Sequence, residues 1–429
     1  MKHPFQVIIT NQAGTHLFTS VKNRLQVFDL TSGNVVGNWI DTVNISDTSK
    51  KQFYKKKKNE ENKKIKDNAG NAIPVTSEDK ISIPSSNSSP IPGVTPIFNY
   101  IRSLTLSANE QYLICTTDSD KAVIIFEIKF SSSNCLELMK RQVFPKRPCS
   151  ISIDDSDIVV ADKFGDVYSI KIDSEPPVSE KSLVPILGHV SMLSEVLVVP
   201  FNNKKFILTS DRDEHIKVSN YPKSYVVKNW LFGHREYVSE LHIPQSNPEL
   251  LISGGGDDFL CLWKWYENKE ICKIQLRDLI KPYLNDSHLP SERFMTESSI
   301  MEISVSKLLT YKSNDKLILI VSCEQTNCIL TFEISENYAV KHLQTFEVSS
   351  PLVDICLDSH SGVLVGSLDV DGDNLLQFYK FDENYMLKVD DSKQELSGNL
   401  TKLNPCDVDS RDEFYPLYYK NTLRKRSEH

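Results

Sequence analysis

The sequence predicts an all-β fold, a seven-bladed β-propeller forming a single domain over residues 1–429, and three observations carry that prediction. Short runs rich in Val, Ile, Thr, Tyr and Phe recur along the chain, with no amphipathic helical period sustained over three or four turns outside a few polar stretches. A strand, a polar turn that usually contains Asp, and a second strand ending in an aromatic or apolar residue repeat seven times. With the first apolar residue after each turn as phase marker, the copies fall at 25, 123, 167, 216, 260, 329 and 376. The middle steps of 44, 49 and 44 residues fit the period of about 40–45 expected of a four-stranded blade.

The clearest copy runs from Leu250-Leu251-Ile252-Ser253 through Gly254-Gly255-Gly256-Asp257-Asp258 to Phe259-Leu260-Cys261-Leu262-Trp263. The first four copies pair Phe18-Thr19-Ser20 with Leu25–Phe28, Ile114-Cys115-Thr116 with Val123–Phe126, Val159-Val160-Ala161 with Val167–Ile170, and Ile207-Leu208-Thr209 with Ile216–Ser219. Two degenerate copies close the series, Leu319-Ile320-Val321 with Ile329–Phe332 and Val363-Leu364-Val365 with Leu376–Tyr379. Gly188-His189 and Gly233-His234 stand about 30 residues before Ser219 and Trp263, the Gly-His to Trp-Asp spacing of WD repeats. A terminal strand near Phe414-Tyr415-Pro416-Leu417-Tyr418 is expected to complete the first or the last blade.

Two steps are too long for a blade and imply insertions. Residues 44–96 are rich in Lys, Asn, Ser and Pro without apolar periodicity, so disorder is expected there. Lys55–Lys58 with Lys63 and Lys64 fits a nuclear import signal, a flexible arm for nucleic acid, or a solvated loop tip. A nuclear location follows from the first reading, with a cytoplasmic pool left open. Residues 277–298 hold Leu279, Ile280, Tyr283, Leu284 and Leu289, too many large apolar groups for an idle loop, so packing on a neighbouring blade or on a partner is expected.

Composition bounds the rest. With 40% hydrophobic and 25% charged residues the chain reads as a soluble globular protein, and its longest apolar stretch, Leu317–Val321, is far short of the roughly 20 residues that span a bilayer. Met1 leads directly into the strand-like Gln6–Thr10, with no export-signal pattern. Nine cysteines stand singly with no Cys-x-x-Cys pair, which predicts buried free thiols and no metal site. Net charge is −8, but Lys50–Lys66 holds nine Lys against two Glu, leaving −15 on the remainder, so any polyanion contact must be local.

His234, Ser253 and Asp257 imitate a hydrolase triad, yet no Gly-x-Ser-x-Gly elbow presents the serine. In a WD blade the same residue types, with Trp263, form a buried hydrogen-bond network. Gly254-Gly255-Gly256 precedes a strand, with no Lys-Ser/Thr behind it, and no Gly-rich strand-to-helix turn offers a nucleotide pocket, so no cofactor is expected on this chain. The run Asp211-Arg212-Asp213-Glu214-His215-Ile216-Lys217 is unusually charged for a blade. With Ile216 and Val218 on one side of the sheet, Lys217 lies on the other, either as a solvated face with internal ion pairs or as a partner-facing ion pair. Lys146, Arg147 and Lys163 near the third blade, and Arg424-Lys425-Arg426 near the tail, could together make a modest, salt-sensitive contact to RNA phosphates.

Several of these strings resemble one family closely. Lys146-Arg147-Pro148, Ala161-Asp162-Lys163-Phe164-Gly165-Asp166-Val167-Tyr168, Gly188-His189-Val190-Ser191-Met192-Leu193, Ser210–Lys217, Trp230–His234 and Ile280-Lys281-Pro282-Tyr283-Leu284 are similar to the fungal non-catalytic WD-repeat subunit of the tRNA (guanine-N7-)-methyltransferase. The resemblance runs from the first blade to Tyr418 and weakens after about residue 300. It implies a scaffold without catalytic residues, paired as a heterodimer with a Rossmann-like subunit that binds S-adenosylmethionine and methylates N7 of a guanine in the tRNA variable loop. It also implies a basic partner contact at Lys217 with Arg212 nearby; Asp211, His215, Lys163 and Tyr283 are candidate further partner-binding positions, and Lys146, Arg147 and Lys425, from the basic clusters, are candidate tRNA contacts. The alternative is a general interaction scaffold such as a ubiquitin-ligase substrate receptor. Its Trp-Asp-x-Arg signature is missing, since Trp263 is followed by Lys264-Trp265-Tyr266.

Overall fold

The computed structural model describes residues 1–43, 99–173, 176–372, 374–414 and 416–426. The 44–96 insertion and Tyr415 therefore lie outside the described residues. Seven antiparallel sheets of four strands are present, each built from consecutive strands of the chain. All seven predicted strand–turn–strand copies form the two central strands of a blade. Those strands are covered on both faces, which is why Leu250–Gly255 and Lys316–Cys323 read as almost continuous apolar or small runs. Outer strands such as Val227–Leu231 are half-exposed.

The innermost strand of each blade is its first: Val7–Thr10, Ile101–Leu106, Pro148–Asp154, Leu193–Phe201, Val238–His242, Val305–Ser313 and Leu352–Leu357 touch one another in a ring around the axis. In blades 2 to 7 this strand carries a bulge just after its first residue. The bulge brings Ser103, Ser150, Glu195, Glu240, Lys307 and Asp354 to equivalent places. Apolar clusters fill the wedges between blades, among them Leu250, Leu262, Val305, Leu319 and Phe332 between blades 5 and 6.

The expected terminal strand does not form. Phe414 ends a short 3-10 turn, Arg411–Phe414, and residues 416–419 are irregular. Blade 1 already takes its first strand from Val7–Thr10 and blade 7 its fourth from Leu387–Val389, so no edge is left to complete, and Pro416 has no N–H to give to a ladder. The ring is closed instead by side chains and loops. Ile8 N donates to Asp354 (2.9 Å), Ser367 Oγ donates to Phe5 O (2.7 Å), and Asn404 Nδ2 donates to His3 O (2.8 Å).

The second insertion folds as a short helix, Arg277–Ile280, and three 3-10 turns. Ile280 is 1% exposed in the cluster of blades 5 and 6, with Leu279 and Leu284 packed against it. Among the described residues no helix is long and apolar enough to cross a membrane, and no group of three metal-ligating side chains occurs.

Candidate partner-binding face

One face of the propeller carries the loops between blades and the turns between the second and third strands, and every site residue predicted from sequence lies on it or at the edge of it. Blade 5 shows how this face is held. His234 Nδ1 lies 2.8 Å from Asp257 Oδ2 and its Nε2 lies 2.7 Å from Ser253 Oγ, while Trp263 Nε1 donates to the same Oγ at 2.8 Å. Because indole can only donate, the serine hydroxyl is left to donate to Nε2, and Nδ1–H faces the carboxylate. Ser253 is 0% exposed and Trp263 2%, so the triad-like groups form a buried tie between the loop and two strands, with no access for a substrate. The neighbouring Gly255 permits close packing: a Cβ there would stand 1.8 Å from Tyr237 O.

Blade 4 repeats the arrangement with His189, Asp211 and Thr209, at 2.8 Å each. Burial pushes the Asp211 carboxyl up, but His189 and the His215 N–H outweigh it and hold the group below its ordinary range. The other Asp211 oxygen accepts N–H groups from Asp213 (2.8 Å) and His215 (3.0 Å), which shapes the charged turn. Within that turn Arg212 Nε donates to Leu423 O (2.9 Å), and Asp213 accepts from Ser191 Oγ (2.7 Å) and pairs with Lys425 (2.9 Å). The His215 ring stands edge-on to Trp230 and Phe232.

Lys217 is 5% exposed, so its strand face is not solvated. Its Nζ donates to Gly188 O (2.5 Å) and stands 5.1 Å over the Trp230 ring. Burial lowers its pKa, opposed by Asp211. The contact ties the third strand of blade 4 to the Gly188–Val190 loop.

Beside it, the blade 3 turn presents Phe164, 58% exposed, with Lys146 Nζ 4.1 Å and Lys163 Nζ 5.8 Å from its ring. Burial, then the charges of Arg147 and Arg102, lower the Lys163 pKa. Arg147 is turned inward to Asp118 (3.2 Å), which also holds Arg102 (2.7 Å). Phe164, Val190 and Phe232, three exposed apolar groups on loops of blades 3 and 4, were missed from sequence. A large apolar residue inside a loop string of glycine and charge, as in Lys163-Phe164-Gly165-Asp166, was the available signal.

Tyr283 stands apart from this group: it is half-buried on the Lys281–Tyr283 turn, and the groups that act on it, Cys328 and Glu347, belong to blade 6. Lys425 is more than half exposed beside Asp213, but its neighbours in the basic tail cluster face protein. Arg424 donates to Gly256 O and Ile303 O and pairs with Glu236, and Arg426 pairs with Glu302.

A family model described as the tRNA methyltransferase TRM82 WD40 domain matches residues 17–185 and 174–375. A relative from Debaryomyces hansenii, named tRNA (guanine-N(7)-)-methyltransferase non-catalytic subunit TRM82, is 57% identical with both chains wholly covered. The chain belongs to the TRM82 family. Relatives of the same name are 53% identical in Meyerozyma guilliermondii, over the whole of both chains, and 38% in Saccharomyces cerevisiae, over all of this chain and 99% of the relative. Among solved structures, a chain of the mitotic checkpoint complex gives a TM-score of 0.58 at 10% identity, covering 89% of this TRM82-family chain and 91% of its own. The RRP9 WD40 repeats give 0.55 at 12% identity, with 86% and 88% covered. At such identities these two bear on the propeller fold alone.

Proposed function

We propose that this chain is the non-catalytic subunit of a tRNA (guanine-N7-)-methyltransferase, and that it works by holding the catalytic subunit in its active form. The observation that carries the reading is the full-length relationship to subunits of that name, at up to 57% identity among those described. A scaffold role suits the chemistry of the face, whose His, Ser and Asp groups are consumed in buried ties while apolar and basic groups are left outward. The family relationship does not favour a ubiquitin-ligase receptor.

In this reading the catalytic subunit docks on blades 3 and 4. Phe164, Val190 and Phe232 meet apolar groups, and Lys163 and Arg212 meet acidic ones. Lys217 acts from beneath, fixing the Gly188–Val190 loop and adding positive potential. A rigid face that binds only the active arrangement stabilises it by the difference in affinity between the two states. The complex is a heterodimer, S-adenosylmethionine sits on the partner, and tRNA is reached through the complex with Lys146 and Lys425 at its margin, Arg147 being held by Asp118. Its location is the nucleus.

The test is co-purification with the catalytic subunit. Lys217→Met is preferable to Lys217→Glu, which would bury a carboxylate near Asp211 and test folding as much as binding. Lys217→Met and the double variant Phe164→Ala/Phe232→Ala should lose the partner while melting like the parent; full complex formation by both would sink the assignment of the face. Methylation of unmodified tRNA by the isolated chain with S-adenosylmethionine would overturn the scaffold reading itself.

A further inference from the structure

Residues 416–426 form an irregular strap that crosses the partner-binding side of the ring and dips into the mouth of the central channel. It begins at blade 1, where Gln6 Nε2 donates to Pro416 O (3.1 Å), and touches blade 7, where the Tyr418 hydroxyl donates to Asp369 (3.1 Å). Arg102 of blade 2 lies 5.0 Å over the Tyr419 ring. The backbone then makes one 3-10 turn, Lys420–Leu423, and the buried Glu324 carboxylate of blade 6 accepts the N–H groups of Tyr419 (2.9 Å), Lys420 (2.8 Å) and Asn421 (3.0 Å).

Lys420 reaches inward from this turn. Its ammonium pairs with Glu240 of blade 5 and donates to Ser306 O of blade 6 (2.8 Å). The bulged inner strands explain why a cation is needed there. The equivalent positions carry Glu195, Glu240 and Asp354 against Lys307 alone, three carboxylates to one ammonium. Lys307 pairs with Asp354 (3.5 Å) and reaches Glu195 only through its field, while Glu195 accepts from Ser150 Oγ (2.7 Å), so one ring cation is shared among the acids and contacts neither Glu195 nor Glu240. Lys420 supplies the contact to Glu240, and Glu195 is the charge that opposes the effect of burial on Lys420. Beyond Lys420 the strap ends on the charged turn of blade 4, through Arg212 to Leu423 O and Lys425 to Asp213.

We propose that the strap is a pin: with Lys420 as counter-ion of the channel acids it holds together a ring that has no shared closing strand, and its far end sets the Asp211–His215 turn in the conformation that the catalytic subunit binds. Lys420, Glu324 and Leu423 are thus positioning residues acting through Arg212 and Asp213. The second half of the proposal rests on the docking reading given above.

The experiment uses the full chain and compares Lys420→Met with the charge-preserving Lys420→Arg. Hydrogen exchange in the isolated chain should show the strap amides at 419–421 and the Asp213 and His215 amides exchanging about tenfold faster in Lys420→Met, with the central strands of blade 3 unchanged. Affinity for the catalytic subunit should fall by about tenfold, the fraction of chains with a competent turn falling by the same factor, and Lys420→Arg should restore both. If the strap amides are freed while the blade 4 turn keeps its protection, or if exchange changes and affinity does not, the coupling is wrong. Should Lys420→Met fail to fold, Glu324→Gln loosens the strap turn while keeping the ammonium, and the same pattern in smaller measure is expected. Full affinity of both Lys217→Met and Phe164→Ala/Phe232→Ala would instead overturn the docking reading, since the exchange experiment needs no partner.

Discussion

The ties of blades 4 and 5 differ by one hydrogen bond, and that difference can be measured. In Ser253→Ala two buried groups lose their partner together: the indole N–H of Trp263, at 2.8 Å from the lost oxygen, and His234 Nε2, at 2.7 Å. Each unpaired buried group costs about 1–3 kcal/mol, and some relaxation is available, so a loss of about 2–4 kcal/mol is expected. In blade 4 the tryptophan position is taken by Ser219, and Thr209 holds only His189 Nε2 at 2.8 Å. Thr209→Val keeps the side-chain shape and orphans one group, for about 1–2 kcal/mol. Urea unfolding followed by tryptophan fluorescence should therefore place the Ser253→Ala midpoint below that of Thr209→Val, with equal slopes. Equal midpoints, or a Ser253→Ala loss under about 0.5 kcal/mol, would refute the claim that the serine bridges one buried donor and one buried acceptor. A hydrolytic activity lost in Ser253→Ala with unchanged unfolding would restore the triad reading.

Two further outcomes follow from single positions. Burial, with Lys307 adding to it, lowers the His242 pKa to about 4, and its Nε2 lies 2.8 Å from Thr310 Oγ1. Between that value and the ordinary 6.5 the unfolded chain binds more protons, so stability should fall as pH drops through this window, by up to about 3 kcal/mol, and less in so far as water reaches the ring. Unfolding curves across that range should be flatter for His242→Gln, and an unaltered pH profile would show that another group titrates. Gly165 has φ +108°, and a Cβ there would stand 2.4 Å from His189 O, so Gly165→Ala should cost more than about 2 kcal/mol in thermal unfolding and loosen the loop beside Phe164.

The central hairpins of all seven blades were legible because two-sided burial demands unbroken apolar runs, and those runs survive even in the degenerate copies at 319–332 and 363–379. The tie around Ser253 was legible for a similar reason, since its residue types stand at fixed offsets within one blade. The closing of the ring was not: a C-terminal aromatic segment invites assignment as a strand, and only the full count of strands shows that no edge is open. Lys217 read as outward because alternation places it opposite Ile216 and Val218, whereas Trp230 and the Gly188 carbonyl, contributed by other strands, cover it. Arg424-Lys425-Arg426 read as one basic cluster, yet the fold divides it into two side chains bound to protein and one exposed. Lys420 has no sequence signal, because the acids that call for it lie 180 or more residues away in the inner strands.

Each blade being contiguous in sequence, its pairings are made between near neighbours and can form in turn as the chain emerges from the ribosome. The joints between the ends are another matter. The amino group of Met1 donates to Val408 O, 407 residues away, and Gln6 meets Pro416 across 410. Until residues past 404 arrive, a chain with all seven sheets made would hold blade 7 to blade 1 through contacts such as Asp354 with Ile8 N and Ser367 with Phe5 O, but without the tail that fastens that seam. The vulnerable interval in the life of this protein is therefore the end of its synthesis, and what brings it to a close is a loop rather than a sheet.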